Sequence, residues 1–366
     1  MNIVVLCGGL STEREISFIS GTKVCGALRR KGHRAVLVDM YMGLEEMGED
    51  VIADPGQLFD NLPELKDVSF DGLTPDLERV RSERKFKSPS LFGRGVLEIC
   101  TKADVVFVAL HGLNGEDGRL QATFDLLGIP YTGSGHLGAA IGMDKIMTKQ
   151  MVAPQGVNTP KWNSYSGVTE ADIPRMMEEN DVPCVVKTPT GGSSVGVYII
   201  KDKNEFESAL RNVLEYGSDV LIEQFIEGRE FTNAVLKGKA LPSVEIVPVE
   251  GGYDYKNKYN ADGADHICPG RLSDDLAKKM GEMALKVHET LELRTYSRSD
   301  FIVDANDNIY FLEVNTLPGM TPTSLVPQEA GVVGIEYDDL CQLIVEDALD
   351  KWRRRYTTDS DIQSTK

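Results

Sequence analysis

Runs of apolar residues change rhythm several times along this chain, and the changes mark its elements. Asn2 to Cys7 is a continuous apolar run, short enough for a buried strand and followed by a Gly8-Gly9 turn. From Ser11 to about Lys31 the apolar positions recur at helical spacing, and Gly32 supplies a stop. Ala35 to Met40 reads as a second strand. Residues 41–102 are acidic and irregular, with scattered Pro and Gly and room for one helix between Pro75 and Glu83. A third strand from Asp104 to Leu110 ends in His111-Gly112. A helix from Gly118 to Leu127 and a short strand at Pro130-Tyr131 follow. Strands alternating with helices predict a parallel α/β unit, whose ligands gather at the carboxyl ends of its strands.

The pattern shifts at Thr132, where TGSGHLGAAIGMDK is rich in Gly. Beyond it the chain predicts a helix, a strand at Cys184 to Lys187, a glycine loop and a strand at Gly196 to Ile200. A helix from Lys203 to Tyr216 and a strand at Val220 to Ile222 come next. From Glu223 an antiparallel portion follows, then a loop at residues 251–263, a helix from Asp274 to Leu291, and a hairpin over residues 300–315. No internal repeat is visible. We therefore expect an α/β chain (α+β overall) in three domains, 1–133 with an insertion at 41–102, 134–222 and 223–352, before a polar, frayed tail at 353–366.

The hairpin carries the first chemistry. In DFIVDANDNIYFLEVN two apolar runs flank the polar cluster from Ala305 to Asn308, which predicts a loop of about four residues. Pairing Asp304 with Ile309 brings Asp300 opposite Glu313 and Arg298 opposite Asn315. Residues two apart on a strand share a face, so all four side chains converge. Facing carboxylates repel in a bare sheet. A divalent cation between them reverses that sign, and carboxylate and carboxamide oxygens are the hard donors magnesium takes. A solvent-facing hairpin with scattered charges is the plain alternative.

Charge narrows the partners. With 39 Lys+Arg against 57 Asp+Glu the formal net charge is −18, which argues against nucleic acid or an anionic membrane surface. A phosphate-bearing ligand would need local lysines and backbone amides. The six cysteines lack CxxC spacing and suit a reducing, cytoplasmic setting. The N-terminus has no secretory pattern and no run is long enough to span a membrane.

KTPTGGSSVGV, from Lys187, lies between two strands rather than before a helix and lacks the terminal Gly-Lys-Ser/Thr of a P-loop. Its Gly and Ser amides could still fold over phosphates. With CGGLSTEREIS, VALHGLNGEDGRLQ, YTGSG, GMDK, VLIEQFIEGREFT, YDYKNKY, RSD and LEVNTLPGMTPTSLVP in order, the chain resembles the D-alanine–D-alanine ligase family of the ATP-grasp superfamily. The match runs from near residue 1 to about residue 350.

The resemblance implies three domains around one site, ATP gripped between the central and C-terminal ones, two magnesium ions with manganese as a substitute, and a homodimer. It implies phosphate contacts for Lys145 and Lys187, a lid at Ser193, Ser194 and Val195, and an adenine and ribose pocket at Glu223, Gln224, Ile226 and Glu230. Asp300, Glu313 and Asn315 match the metal ligands, and Lys258 a lysine near the transferred phosphate. Arg298 and the Gly319 N–H match oxyanion donors. Glu15 matches the anchor for the first D-alanine's ammonium, clustered with Ser193 and Tyr259. His111 matches a first-substrate contact, and Ser324 and Leu325 match second-substrate contacts. Thr12-x-x-Glu15 also fits a capping box serving its own helix.

The implied reaction makes an acyl phosphate that a second amino acid's amine attacks, for cell-wall precursor synthesis. Ligases using D-lactate or D-serine are the nearest alternative. An NAD-dependent oxidoreductase, suggested by the first βαβ pattern and Asp39, lacks GxGxxG. A catalytically dead nucleotide binder would not need the full set of metal and phosphate residues. The chain departs from the family pattern in its Lys-Thr-Pro-Thr lid entry, in Gln224 where a lysine is common, and in Ser297 and Ser299 beside Arg298.

Overall fold

The computed structural model describes residues 1–66, 68, 75–192, 195–248 and 264–363. In chain order its elements are β1 (Asn2–Cys7), α1 (Arg14–Arg30), β2 (Arg34–Asp39), α2 (Glu49–Ala53), α3 (Leu77–Glu83), α4 (Val96–Lys102), β3 (Val105–Val108) and α5 (Arg119–Leu127). Next come α6 (His136–Met143), α7 (Lys145–Val152), β4 (Trp162–Tyr165), α8 (Ile173–Glu179), β5 (Cys184–Lys187), β6 (Val197–Ile200), α9 (Phe206–Leu214) and β7 (Val220–Gln224). The chain continues through β8 (Gly228–Leu236), β9 (Lys239–Ala240), β10 (Val244–Pro248), β11 (Ala264–Ile267), α10 (Asp274–Thr290), β12 (Tyr296–Asp304), β13 (Ile309–Asn315), α11 (Leu325–Val332) and α12 (Tyr337–Gln363).

Three sheets result. The first is parallel in the order β2-β1-β3, with Tyr131 bridging to Val106 beyond β3. Its strands are buried on both faces, hence their unbroken apolar runs. The second is antiparallel in the order β4-β7-β5-β6, with α8 and α9 covering one face. The third runs β11-β10-β8-β12-β13, with β9 on β8 and α10 packed on one face. The strand expected to end at Ile222 continues to Gln224, so the crossing to the third sheet falls between Gln224 and Gly228.

Two expectations need correction. The 41–102 segment is more than an irregular insertion with one helix: Val96, Ile99 and Cys100 of α4 are fully buried in the first core. Arg84, 1% exposed, stacks over Tyr41 and donates to the Ser90 and Phe92 carbonyls. The frayed tail is instead helical backbone through Gln363. Leu340, Cys341, Ile344 and Val345 of α12 join the core of the first sheet beside α1. Ion pairs Arg30–Asp338 and Lys31–Asp339 pin the two helices together, so the chain's last helix closes its first domain. No helix among the described residues is long and apolar enough to cross a membrane.

The β12–β13 hairpin explains how a core strand delivers polar groups. The strands are separated by the four residues Ala305 to Asn308, with Asp307 at φ 61°, but near the turn Val303 rather than Asp304 pairs with Ile309. A bulge then shifts the register, so that Asp300 does pair with Glu313 and Arg298 with Asn315. On β13, Ile309 and Phe311 point into the α10 core, and after the bulge the core position is Val314. One extra residue thus turns Glu313 and Asn315 away from the core.

Candidate active site

A cavity of about 510 Å³ lies where all these parts meet. Arg298, Asp300, Glu313 and Asn315 form one wall, and the loop from Thr316 to Leu325 forms the floor. The carboxyl end of β3 contributes His111 and Gly112, the start of α1 contributes Glu13, and Lys145, Gly191 and Gly192 close the remaining side.

Asp300 accepts from Arg298 Nε and Nη2, both at 3.0 Å, from Thr232 Oγ1 at 2.8 Å and from Asn315 Nδ2 at 3.1 Å. Lys145 is the first residue of α7, which Asp144 caps through the Ile146 and Met147 amides. Its Nζ reaches the Gly191 carbonyl at 2.9 Å and Glu313 at 3.1 Å. Gly142 lets α6 approach this wall, since a Cβ there would sit 2.7 Å from Thr316 Cγ2. The donor set, two carboxylates and a carboxamide oxygen, would suit a magnesium ion, which takes hard oxygen donors.

Glu15, which the resemblance implies for the first substrate, is not the carboxylate that the structure places in the cavity. Glu13, 9% exposed, lines the cavity and Glu15 does not. Glu13 is the N-cap residue of α1 and makes no side-chain cap, so the capping box is absent. Residues two apart in a helical turn diverge by about 200°, so the two carboxylates cannot serve one cavity. Glu15 stays in the first turn, where a carboxylate suits the helix dipole. His111 donates from Nδ1 to the Leu317 carbonyl at 3.1 Å, and its Nε2 lies 3.3 Å from Ser20 Oγ. Burial pulls its pKa down, but Glu116 and Glu13 outweigh that and hold it above the ordinary imidazole value.

The floor is tied down by Ser324, whose Oγ accepts from the Thr321 amide at 3.0 Å, and by Tyr337, which donates to the Met320 carbonyl. Gly319, Ser324 and Leu325 all face the cavity. So does His266, 3.1 Å from Gln328 Nε2, whose pKa is lowered by burial and then by Arg298.

The other described residues for which the resemblance implies nucleotide contacts do not line this cavity. Lys187 and Glu223 share the face of the second sheet opposite the α8–α9 core, because Val186 and Ile222 take that core. Lys187 Nζ is 2.5 Å from Glu223 Oε2 and Lys149 Nζ is 2.5 Å from Oε1. Glu223 is 3% exposed, so it is a buried counterion rather than a pocket wall. Burial raises its carboxyl, but Lys187 and Lys149 outweigh this and keep it below its ordinary value. Gln224 is exposed, Ile226 is 8% exposed, and Glu230 lies on the Thr232–Asp300 face of the third sheet, paired with Ile302. Val195 closes a turn onto the Gly192 carbonyl at 3.1 Å. Ser193, Ser194, Lys258 and Tyr259 lie outside the described residues.

The sequence reading missed Glu13, Glu116, Lys149 and His266. Glu116 sits inside HGLNGEDG, and Lys149 follows Lys145 by one helical turn, so both had a signal. Ser297, by contrast, faces the core and pairs with His288 Nδ1 at 2.7 Å. Asp39 accepts from the Gly9 and Tyr41 amides and pairs with Arg14, a turn-holding role that removes the ground for the oxidoreductase reading.

A bulged strand that presents oxygen ligands beside lysines and a glycine loop, between two antiparallel sheets, defines an ATP-grasp ligase. Family profiles described as D-ala D-ala ligase N-terminus and C-terminus match residues 2–134 and 151–346. A D-alanine–D-alanine ligase of Lacticaseibacillus casei is 39% identical over 350 residues, covering 95% of this chain and 96% of the relative. One from Aquifex aeolicus is 37% identical, covering 94% and 100%. The Bacillus anthracis ligase solved with ATP superposes with a TM-score of 0.72 at 28% identity, covering 97% and 99%. The Coxiella burnetii ligase gives 0.74 at 25% identity, covering 100% and 99%. The chain belongs to the D-alanine–D-alanine ligase family, ATP-dependent enzymes that form a carbon–nitrogen bond. The D-lactate and D-serine alternatives find no support among these relatives.

Proposed function

We propose that the chain joins two D-alanines through a D-alanyl phosphate, with Glu13, Lys145, Arg298, Asp300, Glu313, Asn315 and Ser324 as working residues. The observation that carries this is the convergence of Glu13, Lys145 and the four-residue β12–β13 face on one cavity. Glu13 holds the donor's ammonium, leaving its carboxylate to attack the γ-phosphorus as the bond to ADP breaks. Lys145 and Lys187 neutralise the phosphates, and Gly191 and Gly192 bring backbone close to them. The acceptor's neutral amine then attacks the acyl carbon, and phosphate leaves. Arg298 and the Gly319 N–H face the oxyanion of that intermediate; such donors contribute about 3–4 kcal/mol each. Ser324 and Leu325 bound the acceptor.

Two magnesium ions, or manganese in their place, would be held by Asp300, Glu313 and Asn315, with Glu313 shared. Bound there, they supply charge neutralisation at the transferred phosphoryl group. The three separate sheets support the three-domain division at residues 133 and 222, with β7 running two residues past the second boundary and α12 returning to the first domain. A homodimer is consistent with exposed leucines on neighbouring helices, Leu126 and Leu127 of α5 and Leu137 of α6. A cytoplasmic setting suits six cysteines that are all free thiols.

Carboxylate-labelled ¹⁸O D-alanine tests the route. An acyl phosphate transfers one labelled oxygen to inorganic phosphate, detectable by ³¹P NMR. Unlabelled phosphate accompanying dipeptide would refute the intermediate.

A further inference from the structure

Three cations of the site rest on three carboxylates: Arg298 on Asp300, Lys145 on Glu313 and Lys187 on Glu223. The inference rests on the proposed phosphate role, in which the nucleotide draws both lysines. Asp300 and Glu313 then gain metal ions as replacement partners. Glu223 gains none, because it lies on the second sheet and is almost fully buried. A buried carboxylate that loses its only cation is strongly destabilised. Glu223, however, has a second cation.

We infer that Lys149 is a positioning residue for nucleotide binding: it retains Glu223 so that Lys187 can leave for the phosphates. Lys149 is 0% exposed and is held from three sides. Its Nζ pairs with Glu223, hydrogen-bonds Thr159 Oγ1, and lies 5.9 Å from the Trp162 ring centroid. The Asn158–Thr159 segment is itself fixed to the edge of β13, where Asn158 accepts from the Phe311 amide and donates to the Ile309 carbonyl, each at 2.8 Å. This anchor belongs to the same strand as Glu313. Among the described residues the Lys187 ammonium has only Glu223 to hold it, and it lies 6% exposed beside the glycine loop. The pair therefore divides its labour: Lys149 is the fixed counterion and Lys187 the exchangeable one.

The test is ADP binding by calorimetry, with steady-state kinetics beside it. Lys149→Met should weaken ADP at least about tenfold and raise the ATP KM, with both D-alanine KM values unchanged, because Glu223 now competes for Lys187. Adding Glu223→Gln removes the competitor, and the double variant should bind ADP at least about threefold more tightly than Lys149→Met. Unaltered ADP affinity in a folded single variant, or a double variant weaker than the single, would overturn the inference. If the single variant does not fold, a crystal structure of the wild-type protein with ADP decides instead. Lys187 on phosphate with Lys149 still on Glu223 is the expected outcome. Lys187 on phosphate with Lys149 displaced from Glu223 refutes this inference alone, whereas Lys187 remaining on Glu223 refutes the phosphate role it rests on.

Discussion

Exchanging Glu13 and Glu15, each for Gln, separates two carboxylates that sequence alone cannot tell apart. Glu13 is nearly buried, and its Oε2 lies 2.6 Å from where a Cβ on Gly112 would be and 3.5 Å from one on Gly192. That sets the carboxylate between the β3 end and the glycine loop, where an ammonium can be held. A hydrogen bond to a charged group is worth about 1.5–3 kcal/mol, or about 10- to 150-fold in affinity. Glu13→Gln should therefore raise the KM of the first D-alanine by that factor, with the ATP KM within about twofold. Glu15→Gln loses only a helix-dipole contribution of about 0.3–1 kcal/mol, read as a small fall in unfolding free energy. Initial rates over a wide D-alanine range resolve the two substrate sites. A larger first-site defect in Glu15→Gln than in Glu13→Gln would refute the placement.

Other outcomes follow from the same geometry. Glu313→Ala should abolish turnover, since it removes a proposed metal ligand and the partner of Lys145; near-normal rates at saturating magnesium would contradict its role. Tyr259→Phe, at a position outside the described residues to which the family resemblance assigns a substrate-side role, should loosen acceptor choice towards hydroxy acids, measured as the D-alanine to D-lactate product ratio. His288, facing Ser297, Asp347 and Lys351, has its pKa lowered to about 4 by burial. The unfolded chain then binds more protons between pH 6.5 and 4, so stability falls on acidification across that window by roughly 3 kcal/mol. His288→Gln should flatten that part of the denaturation profile, and an unchanged acid slope would refute the assignment.

Much of the site is legible in the residue pattern. Period-two alternation is enough to bring Arg298, Asp300, Glu313 and Asn315 to one face, and they meet as expected. The route is not legible. The register near the turn is one residue out and a bulge restores it, and a bulge leaves no pattern when its extra residue, Leu312, is as apolar as its neighbours. Glu13 and Glu15 illustrate a different limit. Both sit in STEREIS, and choosing between them requires knowing that α1 begins at Arg14. The return of α12 to the first core is a contact across more than 300 residues, as in the Arg30–Asp338 pair, which local periodicity cannot contain. Lys149 could be noticed one helical turn after Lys145, but the burial of its partner Glu223 is a fact of tertiary packing.

The most direct measurement is mass spectrometry of products from the purified protein with ATP, magnesium and equimolar D-alanine, D-serine and D-lactate. The account predicts D-alanyl-D-alanine, with ADP and phosphate formed in equal amount. A depsipeptide, D-alanyl-D-serine as the main product, or AMP in place of ADP would contradict it.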